Sequence, residues 1–220
     1  MYDDGFYDVI RDGCRRSAET VAPILAEAFA PASVVDVGCG EGWWGTSIAA
    51  PAGISADQVY GIDGPGVPPS APIRTNGTFI EHDLRTPITV GEPFTVGEPF
   101  DLAVCLEVAE HLPPARADSF VAELCRLAPV VVFSAAIPGQ GGTGHLNEQW
   151  PGYWQDLFDQ HGYDVTGDLR YEIWNDDRIE NWYRQNLLIA TSTPGRYPWN
   201  FDGPVLPLVH PVLYDARRAR

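Results

Sequence analysis

The sequence predicts an α/β fold, a three-layer sandwich in which helices cover both faces of a mainly parallel sheet. Short runs rich in β-branched residues alternate with segments that carry the apolar spacing of an amphipathic helix. This alternation is typical of parallel strands joined by helices. With 220 residues, 45% of them hydrophobic, the chain has the size expected of a single domain with a full core.

Residues 1–30 are predicted to form a helical cap, because their apolar side chains recur at intervals of three and four residues. Pro31 ends this helix. Residues 33–37 form a β-branched run that enters a Gly-Cys-Gly turn, as a buried parallel strand does. The other elements predicted in this half are a helix through residues 43–48 and strands at residues 59–63 and 78–83.

Four further strands are predicted in the second half, which gives a sheet of seven. The elements are, in order, a strand at 100–106, helical segments at 107–112 and 114–127, a strand at 129–136, a helix through 154–158, and strands at 163–166 and 186–191. Residues 194–220 are rich in proline at their start and are predicted to be a tail of the same domain.

A perfect duplication separates the third predicted strand from the fourth. Thr89–Phe94 is repeated as Thr95–Phe100, in a stretch rich in Pro, Gly, Thr and Glu. We expect a lengthened surface loop, which folds tolerate at small cost, and assign it no function.

The charge of the chain disfavours several kinds of partner. Its 30 acidic residues outnumber 14 basic ones, for a net charge of −16, so we expect it to bind neither nucleic acid nor an anionic membrane surface. All the basic residues are arginines, which excludes Schiff-base lysine chemistry and the lysine of a phosphate-binding loop.

The expected compartment is the cytoplasm. No run reaches the length of a membrane span, and the acidic start of the sequence lacks the layout of a signal peptide. The four cysteines show no Cys-x-x-Cys pairing, which favours free thiols in a reducing environment. They are Cys14, Cys39, Cys105 and Cys125.

Glycines and carboxylates follow the first three predicted strands and indicate a nucleotide-type ligand. Gly38, Gly40 and Gly42 let the backbone approach a ligand closely. Asp63 ends the second strand, where a carboxylate can accept both hydroxyls of a ribose, and Asp83 ends the third, where it can accept from an adenine amino group. Ligands of parallel sheets bind beyond the carboxyl ends of the strands, where these residues lie.

An NAD site is one interpretation of this pattern. Residues 40–45 satisfy Gly-x-Gly-x-x-Gly, and Asp63 lies near the expected acidic position. However, Asp36 places a carboxylate within the strand end, and Trp43 and Trp44 would crowd a diphosphate. An acidic strand end suits a cationic or amino-bearing ligand better. An NAD-dependent oxidoreductase therefore stays as the alternative.

Four segments in series, 34–42, 60–64, 81–84 and 100–112, together resemble the class I S-adenosylmethionine-dependent methyltransferases. The resemblance implies a Rossmann-like sandwich and S-adenosylmethionine as the cofactor. It also implies cofactor-binding roles for Asp36, Gly38, Cys39 and Gly40 at the methionine end, Asp63 and Gly64 at the ribose, Asp83 and Leu84 at the adenine, and Leu106 beside the sulfonium. Tyr7 is a candidate to cap the cofactor, with core packing as the alternative.

Methyl transfer to a hydroxyl group requires a base to remove the proton. His145 follows the glycine-rich loop 139–144, at the sheet edge that would face the transferred methyl group. The polar and aromatic residues that accompany it suit a gated acceptor pocket, with a capped loop as the alternative. These residues are Asn147, Glu148, Trp150, Tyr153 and Trp154.

Glu107, Glu110 and His111 have the spacing that places side chains on one face of a helix. With His145 they could bind Mg²⁺ or Mn²⁺, and the Glu-x-x-Glu-His pattern resembles that of metal-assisted methyltransferases of ubiquinone biosynthesis and of small-RNA 2′-O-methylation. The metal is a secondary hypothesis. The predicted catalytic residues are His145, His111 and Glu107.

The sequence thus predicts an S-adenosylmethionine-dependent methyltransferase that acts on a small polar acceptor at oxygen. Sugars, nucleosides and other secondary metabolites are the candidate acceptors. Two alternatives stay open: an oxidoreductase that uses NAD, and a cofactor-binding module without transfer activity.

Overall fold

A computed structural model describes residues 4–88 and 99–218. Its helices are α1 (Asp4–Phe29), α2 (Trp43–Ala52), α3 (Pro72–Thr75), α4 (Ala117–Leu127), α5 (Pro151–Gln160), α6 (Leu169–Ile173), α7 (Asn181–Asn186) and α8 (Pro211–Arg218). Its strands are β1 (Val34–Val37), β2 (Val59–Asp63), β3 (Thr78–Glu81), β4 (Leu102–Leu106), β5 (Val130–Ser134), β6 (Asp164–Thr166) and β7 (Leu188–Thr191). Short 3-10 turns lie at Ala56–Gln58, Ala109–His111, Pro114–Arg116 and Pro194–Arg196.

The seven strands form one sheet in the order β3-β2-β1-β4-β5-β7-β6. The first five in this order run parallel, whereas β7 is antiparallel to both β5 and β6. This confirms the predicted seven-stranded, mainly parallel sheet. The chain order reverses between β1 and β4, and ligands of such sheets bind at the carboxyl ends of the strands beside that reversal.

The sheet separates two hydrophobic cores, because successive side chains of a strand point to opposite faces. Val35 and Val37 of β1 pack in one core with α4 and α5, whereas Val34 packs in the other with α1 and α2. These residues are fully buried, so β1 contacts helices on both sides. A strand covered on both faces explains why β1 directs valines to both sides of the sheet.

Two local predictions were wrong. The segment 107–112 is not an α-helix: Glu107 has a left-handed backbone (φ 56°), and only a 3-10 turn at Ala109–His111 follows it. Pro113 and Pro114 come directly after, which disfavours a longer helix. The third strand ends at Glu81, so His82, predicted within it, follows the strand.

Four short helices were not predicted: α3, α6, α7 and α8. Each has eight residues or fewer, so the apolar period has little length in which to show. α8 begins at Pro211 within the predicted tail, at the first helical position that proline favours.

Two sequence features lie outside what the structure describes. They are the side chain of Tyr7 and most of the duplicated hexapeptide. Among the described residues, no helix combines the length and the apolar character needed to cross a membrane.

Candidate active site

A cavity of about 880 Å³ opens at the carboxyl ends of the parallel strands. All three predicted catalytic residues line it, and so do the predicted cofactor-binding residues apart from Gly42 and from Tyr7, whose side chain is outside what the structure describes. The predicted residues that line it are Asp36, Gly38, Cys39, Gly40, Asp63, Gly64, Asp83, Leu84, Leu106, Glu107, His111 and His145. The structure thus brings together residues from five separate segments of the chain.

The glycine turn after β1 is shaped by positions that exclude a side chain. Gly38 has φ 73°, and a Cβ there would collide with Val108. The backbone N–H groups of Gly38 and Cys39 donate to the carbonyl of Ile62, at 2.7 and 3.1 Å, which ties the turn to β2. Gly42 has φ 81° and begins α2. The turn therefore exposes backbone to the cavity in the way predicted from its glycines.

Asp36 and Asp63 place two buried carboxylates at this end of the cavity. Asp63 accepts the N–H of Gly40 and that of Gly64, each at 2.6 Å, and burial raises its pKa. Asp36 accepts the N–H of Gly45 at 3.0 Å, and burial raises its pKa to about 7. Burial penalises both negative charges, so a cationic ligand would relieve this cost.

Asp83, predicted to end the third strand and to accept from the adenine amino group, is more exposed than Asp36 and Asp63. Because β3 ends at Glu81, Asp83 lies in the following turn, where Arg85 binds it through Nη2 at 2.6 Å. This hydrogen-bonded ion pair lowers the pKa of Asp83 to about 2. Leu84 beside it is buried and also lines the cavity.

Arg11 of α1 is a cavity residue that sequence reasoning missed. It binds the carboxylate of Glu41 through Nε and Nη2, with a shortest distance of 2.8 Å, and Trp43 donates Nε1–H to the same carboxylate at 2.9 Å. The ion pair joins residues thirty positions apart in the sequence, so no local sequence pattern indicates it. It fixes α1 against the glycine turn.

Glu107 is held by amide side chains from two distant segments. Its Oε1 accepts from Asn186 Nδ2 and its Oε2 from Gln140 Nε2, both at 3.0 Å. Gln185 donates to Gln140 and to Asn186, at 3.0 and 2.9 Å, and so completes a buried network. Burial raises the pKa of Glu107, and the amide donors oppose that rise by favouring the ionised form.

Glu110 lies beside Glu107 and is fully buried. Its Oε1 accepts the N–H of Ala136 at 3.2 Å, whereas Oε2 has no donor among the described residues. Burial, and then the neighbouring charge of Glu107, raise the pKa of Glu110. The pair therefore needs a proton or a positively charged or donating ligand between its oxygens.

The predicted base His145 has a carboxylate partner. Its Nδ1 lies 2.8 Å from Glu148 Oε1, and Glu148 also accepts the N–H groups of Gly139 and Gly141, at 2.7 and 2.6 Å. Glu148 thus fixes both the imidazole and the glycine-rich loop. His111 meets His145 edge to face, with ring centroids 4.7 Å apart, and burial lowers the pKa of His111 to about 4.

The other residues predicted around His145 do not line the cavity. Trp154 is buried in the core, with its ring centroid 5.2 Å from that of Phe133, and Tyr153 packs on Trp154. Trp150 is exposed, and Asn147 is buried with its N–H bound to the carbonyl of Glu110. Helix α5 directs its apolar side toward the sheet, which explains why the aromatic residues serve packing.

The other three histidines, His82, His161 and His210, lie outside the cavity. His161 Nε2 lies 3.2 Å from Asp118, and His210 Nε2 lies 3.2 Å from the carbonyl of Trp174. His82 Nε2 lies 3.3 Å from the carbonyl of Thr86. Each contact ties neighbouring elements together.

Helix α7 supplies a second group of residues that the sequence did not assign to the site. Trp182 and Tyr183 line the cavity, and Asn186 reaches Glu107. Tyr183 donates its hydroxyl to Cys14 Sγ at 3.6 Å, which links α7 to α1. The sequence held one signal for these residues: the run Trp-Tyr-Arg-Gln-Asn (182–186) lies directly before β7, the last strand of the chain.

Glu110, His111 and His145 could together hold a divalent metal ion. Each offers a ligand atom, and these atoms lie within 4.8 Å of one another. A carboxylate with two imidazoles suits Mn²⁺ better than Mg²⁺, which prefers oxygen ligands. The donor set therefore fits a metal, and the unpartnered Oε2 of Glu110 is a free ligand position.

Comparisons with known proteins identify the family. A family model described as a methyltransferase domain matches residues 9–163, more than half of the chain. A search of curated proteins finds no match.

Solved structures of low sequence identity share the fold. Magnesium protoporphyrin IX methyltransferase from Synechocystis PCC 6803, with bound S-adenosylhomocysteine, superposes with a TM-score of 0.58 at 20% identity, over 87% of this chain and 88% of that chain. DesVI of Streptomyces venezuelae gives 0.55 at 14% identity, over 86% and 94%.

A protein from Nostoc punctiforme PCC 73102, described as a candidate O-methyltransferase, gives a TM-score of 0.60 at 13% identity over 84% of this chain. The chain spans only 58% of that protein's length. The family match covers the glycine turn and the acidic strand ends, and the fold agrees with it. The chain therefore belongs to the class I S-adenosylmethionine-dependent methyltransferases.

Proposed function

We propose that this methyltransferase transfers the methyl group of S-adenosylmethionine to an oxygen atom of a small polar acceptor. One observation carries the proposal: a single cavity joins the acidic strand ends, suited to the cofactor, to His145 and its carboxylate partner Glu148. The candidate acceptors are sugars, nucleosides and other secondary metabolites.

The cofactor would lie along the carboxyl ends of β1, β2 and β4. Asp36 would pair with its amino group and Asp63 with the ribose hydroxyls, while Asp83 and Leu84 would border the adenine. Leu106 would lie beside the sulfonium. Buried, uncompensated carboxylates support this orientation, because S-adenosylmethionine carries a net positive charge.

The transfer step is an in-line displacement. A lone pair of the acceptor oxygen forms the new O–C bond, and the S–C bond pair returns to sulfur, which gives neutral S-adenosylhomocysteine. The acceptor's proton passes to a base. The protein mainly aligns the two molecules and excludes water, and the buried walls of the cavity suit that task.

His145 would accept the proton. Glu148 holds its Nδ1, as a carboxylate does when it orients a general base and stabilises the imidazolium that forms. His111 is neutral near pH 7 because its pKa is lowered to about 4, so it would act as a hydrogen-bonding wall of the acceptor site. Glu107, fixed by Asn186 and Gln140, would bind the acceptor.

RNA is a less suitable acceptor than a small molecule. The net charge of −16 opposes the approach of a polyanion. Strong binding of RNA at moderate salt would reverse this preference.

A divalent metal is a second candidate component, favoured by the proximity of Glu110, His111 and His145. Held there, it would act as a Lewis acid toward the acceptor oxygen. Full methyl transfer after exhaustive EDTA treatment would exclude this role.

The proposed function is tested in two steps. S-adenosylhomocysteine, and not NADH, should raise the melting temperature, and the protein should then incorporate labelled methyl groups into a metabolite extract of its source. His145→Ala should lower turnover by about 10²–10⁴-fold and leave the affinity for S-adenosylhomocysteine unchanged. Equal turnover of variant and parent would show that His145 is not the base.

A further inference from the structure

The cavity holds more carboxyl groups than its arginines can pair with. Its described lining includes six carboxylates and two arginines. Arg11 pairs with Glu41, and Arg85 pairs with Asp83. Both arginines are thus engaged by carboxylates of the same lining, which makes the cavity a poor host for an anionic acceptor such as a sugar phosphate or a carboxylic acid. Asp36, Asp63, Glu107 and Glu110 stay without an arginine partner.

The cofactor does not neutralise these four groups. S-adenosylmethionine brings a sulfonium, an ammonium and a carboxylate, and hence one net positive charge. One positive charge can balance only one of the four groups. A bound cofactor therefore leaves carboxyl groups in the cavity to which a cationic acceptor is better suited than an anionic one.

Two of these four carboxyl groups, those of Glu107 and Glu110, lie at the end of the cavity proposed for the acceptor. Both oxygens of Glu107 accept amide N–H groups, from Asn186 and Gln140, which hold the carboxyl group in one orientation. Glu107 lies next to Glu110, on the side of the cavity that also holds His111 and His145.

Glu110 adds an independent sign of a ligand. The residue is fully buried, it lines the cavity, and its Oε2 has no donor among the described residues. A buried oxygen without a partner costs free energy that a bound donor would recover. An ammonium group, with three N–H donors, can serve Glu107 and Glu110 at the same time.

We propose that the acceptor is a hydroxylated amine, such as an amino sugar or an amino alcohol, whose ammonium group pairs with the carboxylates of Glu107 and Glu110 while a neighbouring hydroxyl receives the methyl group. This inference rests on the proposed function. The paired ammonium has no lone pair and cannot itself accept the methyl group. The neighbouring hydroxyl of the acceptor loses its proton to His145 as the O–C bond forms. The sulfur of the cofactor keeps the electron pair of the broken S–C bond.

The aromatic wall of the cavity suits the same class of acceptor. Trp182 and Tyr183 line it, and aromatic rings attract cations and cover the apolar faces of sugar rings. Neither feature would help to bind a phosphate group.

The inference is tested by the charge of the molecules that are methylated. A metabolite extract of the source is separated by ion exchange into cationic, neutral and anionic pools, and each pool is incubated with the protein and methyl-labelled S-adenosylmethionine in the presence of EDTA. We expect label in the cationic pool. Glu110→Gln should lower that incorporation at least about tenfold, because an amide cannot balance the ammonium charge.

Two further variants separate charge from folding. Glu110→Asp keeps the charge and should retain more incorporation than Glu110→Gln. Glu172→Gln is the matched control, since Glu172 accepts from Trp199 away from the cavity, and it should behave as the parent. All variants should bind S-adenosylhomocysteine as the parent does.

Other outcomes would overturn the inference. Label confined to the neutral or the anionic pool would refute the pairing of an ammonium group with Glu107 and Glu110. So would label in the cationic pool that is as high with Glu110→Gln as with the parent. Either result would leave the proposed function in place. Transfer that EDTA abolishes and Mg²⁺ or Mn²⁺ restores would also refute it, because the metal would then occupy the carboxylates. Label in no pool, either with EDTA or with added Mg²⁺ or Mn²⁺, would refute the proposed function together with the inference.

Discussion

Asp36→Asn is expected to change how the stability of the ligand-free protein depends on pH. Asp36 is 3% exposed, and burial raises its pKa from 3.8 to about 7. The folded state thus holds the proton more tightly than the unfolded state does. The contribution of Asp36 to stability is complete below about pH 4 and is lost as the pH rises through about 7.

The size of this effect follows from the shift. A difference of about three pKa units corresponds to about 4 kcal/mol of unfolding free energy, at about 1.4 kcal/mol per unit. Asparagine keeps an oxygen that can accept the N–H of Gly45 and carries no charge. The variant should therefore gain up to about 4 kcal/mol over the parent between about pH 4 and about pH 7.

Urea unfolding followed by tryptophan fluorescence, at a series of pH values and without cofactor, measures the difference. A free-energy difference between parent and variant that stays constant with pH would refute the assignment of a buried, proton-holding Asp36. Calorimetry in buffers of different ionisation enthalpy gives a second check. Below about pH 7, S-adenosylmethionine should displace a proton from Asp36 in the parent and release fewer protons in the variant.

Two further substitutions probe the cofactor end of the cavity. Asp63→Ala should weaken S-adenosylhomocysteine binding at least about tenfold, because the ribose and the N–H groups of Gly40 and Gly64 lose a charged acceptor, and unchanged affinity by calorimetry would mean that the cofactor lies elsewhere. Gly38→Ala should destabilise the fold by about 1–3 kcal/mol, since φ 73° and contact with Val108 leave no room for a Cβ, and an unaltered melting temperature would contradict that steric account.

The part of the site proposed for the cofactor was predictable because its signals are local. The β-branched run of β1 and the glycines after it specify a buried strand and a close turn, and Asp63 ends the next predicted strand. Parallel strands share an edge at their carboxyl ends, so correct strand assignments sufficed to bring these residues together. The structure places them along one cavity.

Other contacts of the cavity were less predictable because they join distant segments. Arg11 meets Glu41 and Asn186 meets Glu107 across the fold, and no spacing rule links such pairs. The spacing of Glu107 and Glu110 correctly predicted that both line one site. However, the positive φ of Glu107 replaced the predicted helix, since the backbone turns sharply where β4 ends.

Helix α7 lies beyond the part of the chain that the family model matches, yet it contributes residues to the cavity. The matched family domain ends at residue 163, whereas the amide side chains that grip Glu107 include Asn186, from a helix beyond that limit. Asn186 thus lets a segment outside the matched domain set the position of Glu107, whereas Glu107, Glu110, His111 and His145 lie inside that domain. Exchanging the segment from β6 onward for that of a relative should therefore alter how Glu107 is held and leave the glycine turn after β1 in place.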